Sequence, residues 1–179
     1  MPALPVLTRS RDGDAADTVL GMASTGTPAT VALTRLRIPF TAHPYRHEPG
    51  SGAYGLEAAA ALGVDPVRVF KTLVVTADDR LVVAVVPVST TLDLKALAHA
   101  AEAKRTALAD PAVAERRTGY VVGGISPVGQ RSRLPLFLDE SALGHPTVYV
   151  SGGRRGFDIE LAPADLLTAT GGRTAAIAR

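Results

Sequence analysis

The run Val69-Phe70-Lys71-Thr72-Leu73-Val74-Val75 constrains the fold more than any other segment of the chain. Apolar and β-branched residues fill nearly every position, without the polar alternation of a strand wetted on one side. It reads as a strand covered on both faces. A second run, Leu81 to Val86, follows after Asp78-Asp79-Arg80, a short connection that predicts a hairpin. Lys71 is costly in this setting, because its charge loses water on burial. The chain holds three lysines against sixteen arginines, so lysine is not scattered freely. On residue type alone, Lys71 either reaches out to solvent or lines a pocket that needs an amine.

Punctuation along the rest of the chain places short helices between strands. Thr27-Pro28 opens a helix running to about Arg37, with Thr as N-cap and Pro at the first helical position. Phe40 to Tyr45 reads as a short strand. Ala53 to Leu62 is a helix stopped by Gly63. Asp93 caps a helix through Ala100, Arg105 to Leu108 is a brief strand, and Asp110-Pro111 opens a helix ending near Arg117. Gly119 to Val122 is expected as a strand entering a Gly123-Gly124 loop. Further strands are expected at Leu136 to Asp139, Thr147 to Val150, Phe157 to Leu161 and Thr174 to Ala178, with a helix from Ala162-Pro163. The pattern predicts a mixed α/β (α+β) fold with a largely antiparallel sheet curled toward a barrel and surrounded by short helices. It argues against a doubly wound parallel fold.

With 179 residues, one domain is the default. Residues 1 to 26 read as a flexible tail, rich in Pro, Asp, Gly, Ser and Ala, and residues 27 to 179 as the domain. The apolar fraction is 46% but the aromatic fraction only 4%, so the core is aliphatic. The absence of cysteine excludes disulfides, thiolate metal sites and a cysteine nucleophile. A formal charge of +2 permits a nucleic-acid partner without demanding one. No apolar run is long enough to span a membrane and no signal pattern opens the chain, so a cytoplasmic protein is expected.

Several constellations have a bland reading beside a chemical one. His43 and His47 are four apart, but Pro44 and Pro49 forbid the helix that would align them, so a solvated loop is favoured over a metal pair. His99 and His145 adjoin no nucleophile elbow. Gly152-Gly153-Arg154-Arg155-Gly156 is either a hairpin turn or an anion nest with two arginines. Arg116, Arg117, Arg131, Arg133, Arg154 and Arg155 could track phosphates or simply coat a solvated face. Asp158 lies between Phe157 and Ile159; pointing inward it needs a partner, for which Lys71 or a backbone amide would serve.

Taken in order, Phe70-Lys71-Thr72-Leu73, Gly119-Tyr120-Val121-Val122-Gly123-Gly124-Ile125-Ser126-Pro127 and Ser151-Gly152-Gly153-Arg154-Arg155-Gly156-Phe157-Asp158 resemble the YbaK family over residues 27 to 178. These are free-standing aminoacyl-tRNA deacylases related to the editing domain of bacterial prolyl-tRNA synthetase. The resemblance implies a trans-editing hydrolase of mischarged tRNA. Cys-tRNA(Pro) is its foremost substrate, with Cys-tRNA(Cys), Ala-tRNA(Pro) or non-catalytic tRNA binding as alternatives. It implies Lys71 as the critical polar residue. Tyr45, Gly123, Gly124, Ser151 and Asp158 would bind substrate, the two glycines through their amides. Arg154 and Arg155 are weaker candidates for RNA contact. The tRNA 3′ end and prolyl-tRNA synthetase are the implied partners, with no cofactor, metal or membrane.

Overall fold

The structure is a computed structural model that describes residues 26–50 and 52–179. The expected N-terminal tail lies, but for Gly26, outside the described residues. Helix α1 (Pro28–Leu36) starts as expected: the Thr27 and Thr30 side chains cap each other's backbone amides. It is followed by β1 (Thr41–Pro44), α2 (Tyr54–Leu62), β2 (Val69–Ala77) and β3 (Arg80–Pro87). Then come α3 (Leu94–Ala100), β4 (Thr106–Leu108), α4 (Pro111–Thr118) and β5 (Leu136–Asp139). The chain closes with β6 (Val148–Arg154), β7 (Phe157–Leu161), α5 (Pro163–Thr170) and β8 (Arg173–Ala175). Asp93 and Asp110 cap α3 and α4 through their side chains, and Gly63 ends α2 in the left-handed region. No helix among the described residues is long and apolar enough to cross a membrane.

The strands form one mixed sheet in the order β1-β7-β6-β2-β3-β5-β8, with β4 attached to β2. The mixed α/β class stands. Antiparallel pairing holds for β1–β7, β2–β3, β2–β4 and β6–β7, whereas β2–β6, β3–β5 and β5–β8 run parallel. The path is open, so the expected curl does not close into a barrel.

Alternation along β2 sorts the core into two layers. Phe70 and Val74 face the side covered by α1, α5 and α4, where Leu33, Leu166 and Ala114 are buried. Val69, Leu73, Val75 and Ala77 face the side covered by α2 and α3, against Ala58, Ala59 and Leu97. β2 is therefore covered on both faces, as its composition requires.

One expected strand is absent. Residues 119 to 135 form an irregular loop, and Gly119 is the left-handed C-cap of α4 (φ +80°). Tyr120-Val121-Val122 has strand-like composition, but glycines of positive φ bracket it. Its polar groups bond to side chains instead of a ladder: Val122 N–H donates to Glu115, and Val122 C=O accepts from Arg155. The Tyr120 ring is buried with its hydroxyl on Val128 C=O, 2.8 Å away.

Candidate active site

The sheet splits at β2. β6 pairs with β2 only at Val69 and Phe70, and β4 only from Val75 to Ala77. Between them Lys71, Thr72 and Leu73 have a strand partner on the β3 side alone. A strand edge exposed inside a sheet leaves backbone donors and acceptors for something else to meet. The Thr72 hydroxyl at this split is buried and has no hydrogen-bond partner among the described residues.

Register places the proposed residues around this split. Phe70 is level with Val150, and beyond this pair β6 parts from β2, with Lys71 and Ser151 the next residue of each strand. Ser151 is level with Asp158, and Asp158 with His43 on β1. Side chains level with one another share a face, so Ser151, Asp158 and His43 form a row across three strands, with Lys71 on the same face where β2 parts from β6. Tyr45 packs with Val69, Tyr149 and the α2 alanines on that same face.

Lys71 occupies the gap between the patch under α2 and the patch under α3. Its Nζ donates to Thr90 C=O at 2.6 Å, and burial lowers the pKa of the amine. It is half-buried and leans toward the β3–α3 connection, so it is not the hydrogen-bond partner of Asp158. Asp158 is 5% exposed. Burial raises its carboxyl to about 7. The Tyr45 phenol is pushed up to about 12, by burial first and then by the negative charge of Asp158. Ser151 Oγ accepts from Gly153 N–H at 3.3 Å, where a bulge of β6 carries Gly152 and Gly153 past the register with β7.

The glycine pair is held at the rim. Gly124 N–H closes a turn onto Val121 C=O at 2.9 Å, so this amide is already committed. Gly123 lies at φ +87°, and its N–H meets no protein acceptor among the described residues. Both glycines are required by close approach. A Cβ on Gly124 would stand 2.9 Å from Arg154 Cα, and one on Gly123 2.8 Å from the Tyr54 ring. Tyr54, the first residue of α2, also lies under the Arg155 guanidinium (5.0 Å) and beside the His47 ring (5.7 Å). Arg155 donates twice to Val122 C=O, at 3.0 and 2.7 Å, and so ties the glycine loop to the β6–β7 turn. Arg154 stacks over Phe157 at 5.0 Å. The next residue of α2, Gly55, abuts Val88, whose N–H bonds Val69 C=O. The first turn of α2 thus links the loop to the base of β2.

Two of the four histidines, His43 and His47, are engaged. His43 Nε2 lies 2.9 Å from Glu160, which also meets Arg68 and Thr147. His47 Nδ1 lies 3.0 Å from Glu57. Sequence reasoning missed Tyr54 and Thr90. Tyr54 carried a faint signal, an aromatic at a helix start in a chain with few aromatics. Thr90 acts through its backbone carbonyl, which no residue type announces.

Chemically, this face offers an amine, a hydroxyl, a phenol and a carboxyl poised near neutrality, beside an unpaired strand edge. Such a set suits an uncharged electrophile with a polar tail.

Residues 49–169 match the aminoacyl-tRNA editing domain family. An Enterococcus faecalis protein described as a candidate Cys-tRNA(Pro)/Cys-tRNA(Cys) deacylase, EbsC, is 42% identical over 120 residues, covering 66% of this chain and 73% of that protein. A crystal structure described as a candidate trans-editing enzyme for prolyl-tRNA synthetase superposes with a TM-score of 0.73 at 27% identity, covering 85% of this chain and 95% of that one. A crystal structure of the hypothetical protein APE2540 gives 0.78 at 26% identity, covering 86% and 100%.

Proposed function

The chain belongs to the family of aminoacyl-tRNA editing domains, and from that premise we propose that it hydrolyses the ester of mischarged tRNA in trans, with Cys-tRNA(Pro) as first substrate. One observation carries this reading: β2 loses its β6 partner after Phe70, which leaves Lys71 at an open strand edge next to the β6–β7 pair that sets Ser151 opposite Asp158.

The aminoacyl ester is already activated, so positioning and charge stabilisation supply most of the catalysis. Lys71 keeps donors beyond the one given to Thr90, and these serve the ester carbonyl or the terminal ribose-phosphate. Gly123 N–H, in contrast to Gly124 N–H, is available as a second donor to the developing oxyanion. Asp158 orients the substrate with Ser151, and near neutral pH it can accept the proton lost by the attacking group. For a cysteinyl ester that group is the substrate's own thiol. Sulfur bonds the carbonyl carbon, the bond to the ribose oxygen breaks with the thiol proton ending on the released hydroxyl, and water then opens the resulting four-membered thiolactone to free cysteine. Prolyl-tRNA synthetase is the partner this reading names, since cysteine and proline differ too little in size for one pocket to separate them well.

The test is a deacylation panel with Cys-, Ala-, Ser- and Pro-charged tRNA, run with wild type and Lys71→Ala. The reading expects cysteine to be released fastest and the variant to lose at least about a hundredfold in rate with its circular dichroism unchanged. Full activity in Lys71→Ala would refute the assigned role. A preference for Ala-tRNA(Pro) would move the substrate, and binding without hydrolysis would make the chain a recognition module.

A further inference from the structure

The arginines singled out in the sequence divide into two groups in space. Arg154 and Arg155 are engaged at the rim of the site. Arg117 and Arg133 lie instead, with Arg80 and Arg173, at the opposite end of the sheet, where β3, β5 and β8 begin. Two adjoining cavities lie there, of about 460 and 290 Å³, sharing Arg80 and Pro135 as lining residues. Arg117 lines the first and Arg173 the second. Arg133 reaches the second from the side, with its guanidinium against Gly171.

Two of these cations are anchored by a single donor each. Arg80 and Arg173 donate to the carbonyls of Ala101 and Ala100, at the C-terminus of α3. One donor each fixes the guanidinium in place, and the helix dipole favours the charge there. The remaining donors are left over. The Arg117 guanidinium has no hydrogen bond or ion pair among the described residues. Arg68 is the only arginine of those residues that makes a salt bridge. Asp79 is the one carboxylate among the lining residues. Neighbouring Asp78 already accepts from the amides of Lys104 and Arg105.

We propose that this arginine-lined groove binds the phosphodiester backbone of the tRNA substrate, away from the ester. The identity of the ligand rests on the deacylase reading; the groove itself does not. Arginine forks match phosphate geometry, and a lining with one acid suits a polyanion. The spacing also fits. Ala77, the register partner of Arg80, lies six residues along β2 from Lys71, and Arg80 shares that face, whereas Arg117 at the end of α4 reaches the groove from the opposite face around the end of the sheet. At about 3.3 Å per residue the two places are about 20 Å apart. The 3′ end can occupy the site while the double-stranded stem meets the groove. Such contacts read backbone rather than base identity.

The experiment measures binding of uncharged tRNA to the full chain across a salt titration, for wild type, Arg117→Glu, the double change with Arg133→Glu, and Arg35→Glu as a charge-matched control on the exposed end of α1. The groove variants should bind about tenfold or more weakly at low salt, and the slope of log K against log salt should fall by about 0.7–0.9 for each phosphate that is no longer neutralised. Arg117→Lys should keep most of the affinity. KM for Cys-tRNA should rise with kcat unchanged, while hydrolysis of cysteine esterified to adenosine alone stays at the wild-type rate. Affinities and slopes equal to those of Arg35→Glu would overturn the proposal. If wild type hydrolyses neither substrate, the deacylase reading fails instead, and the salt titration still decides the groove.

Discussion

Replacing Asp158 with Asn should make the protein more stable, and more so as the pH rises. The folded protein holds this carboxyl near 7 because burial disfavours its charge, against an ordinary value of 3.8. Between those values the native state binds a proton that the unfolded chain releases, so stability falls as pH rises through this window. Asn keeps the shape and removes the ionisation. The linkage corresponds to about 2 kcal/mol at pH 5 and about 4 kcal/mol at pH 8, as upper values. For a chain of this size each kcal/mol moves Tm by about 2–4 °C. Thermal and urea unfolding of both proteins at pH 5 and pH 8 measures the difference, and the gain at pH 8 should exceed that at pH 5 by about 2–3 kcal/mol. Deacylation by the variant should fall at the same time. A stability difference equal at both pH values, or a variant weaker at pH 8, would refute the assignment of a buried, charge-averse carboxyl.

Asp139 should behave in the opposite way. It is buried, which raises its pKa, but hydrogen bonds from Ser141, Ile177 and Ala178 outweigh this and hold the carboxyl below its ordinary range. Its contribution is therefore present above that range and lost as pH falls through the folded value. Asp139→Ala should cost about 3–5 kcal/mol in urea unfolding, because the amides of Ile177 and Ala178 lose their acceptor, and should expose the C-terminus to carboxypeptidase. Gly124→Ala should cost about 1–3 kcal/mol and most of the activity, since the new methyl meets the backbone of Arg154 and Arg155 and pushes the loop off the β6–β7 turn. Unchanged kinetics in Gly124→Ala would show that the position of this loop does not matter to catalysis.

Local signals in the sequence were the most readable. Thr27-Pro28, Asp93, Asp110-Pro111 and Gly63 mark helix ends because each cap is made within a few residues. The β2–β3 hairpin was legible from its two apolar runs, and Asp78 turns it with φ +54°. What depended on distant partners was not legible. The loop from Gly119 looked like a strand until Glu115 and Arg155 took its backbone groups. The parallel pairings of β2, β3 and β5 join segments with no sequence mark of their neighbours. The resemblance pointed to Lys71, Ser151 and Asp158, but the pairing of Ser151 with Asp158 and the open edge at Lys71 are visible only once register is known. It also assigned Gly124 an amide role, whereas that amide closes a turn and the residue is small to let backbone pass.

Tyr54 stands where three pieces of chain converge: the glycine loop on its ring, Arg155 above it and His47 alongside. One aromatic ring, on the first residue of α2, therefore packs at once against the glycine loop, the β6–β7 turn and the segment after β1. Truncating this ring to Ala would remove a contact from all three segments at once.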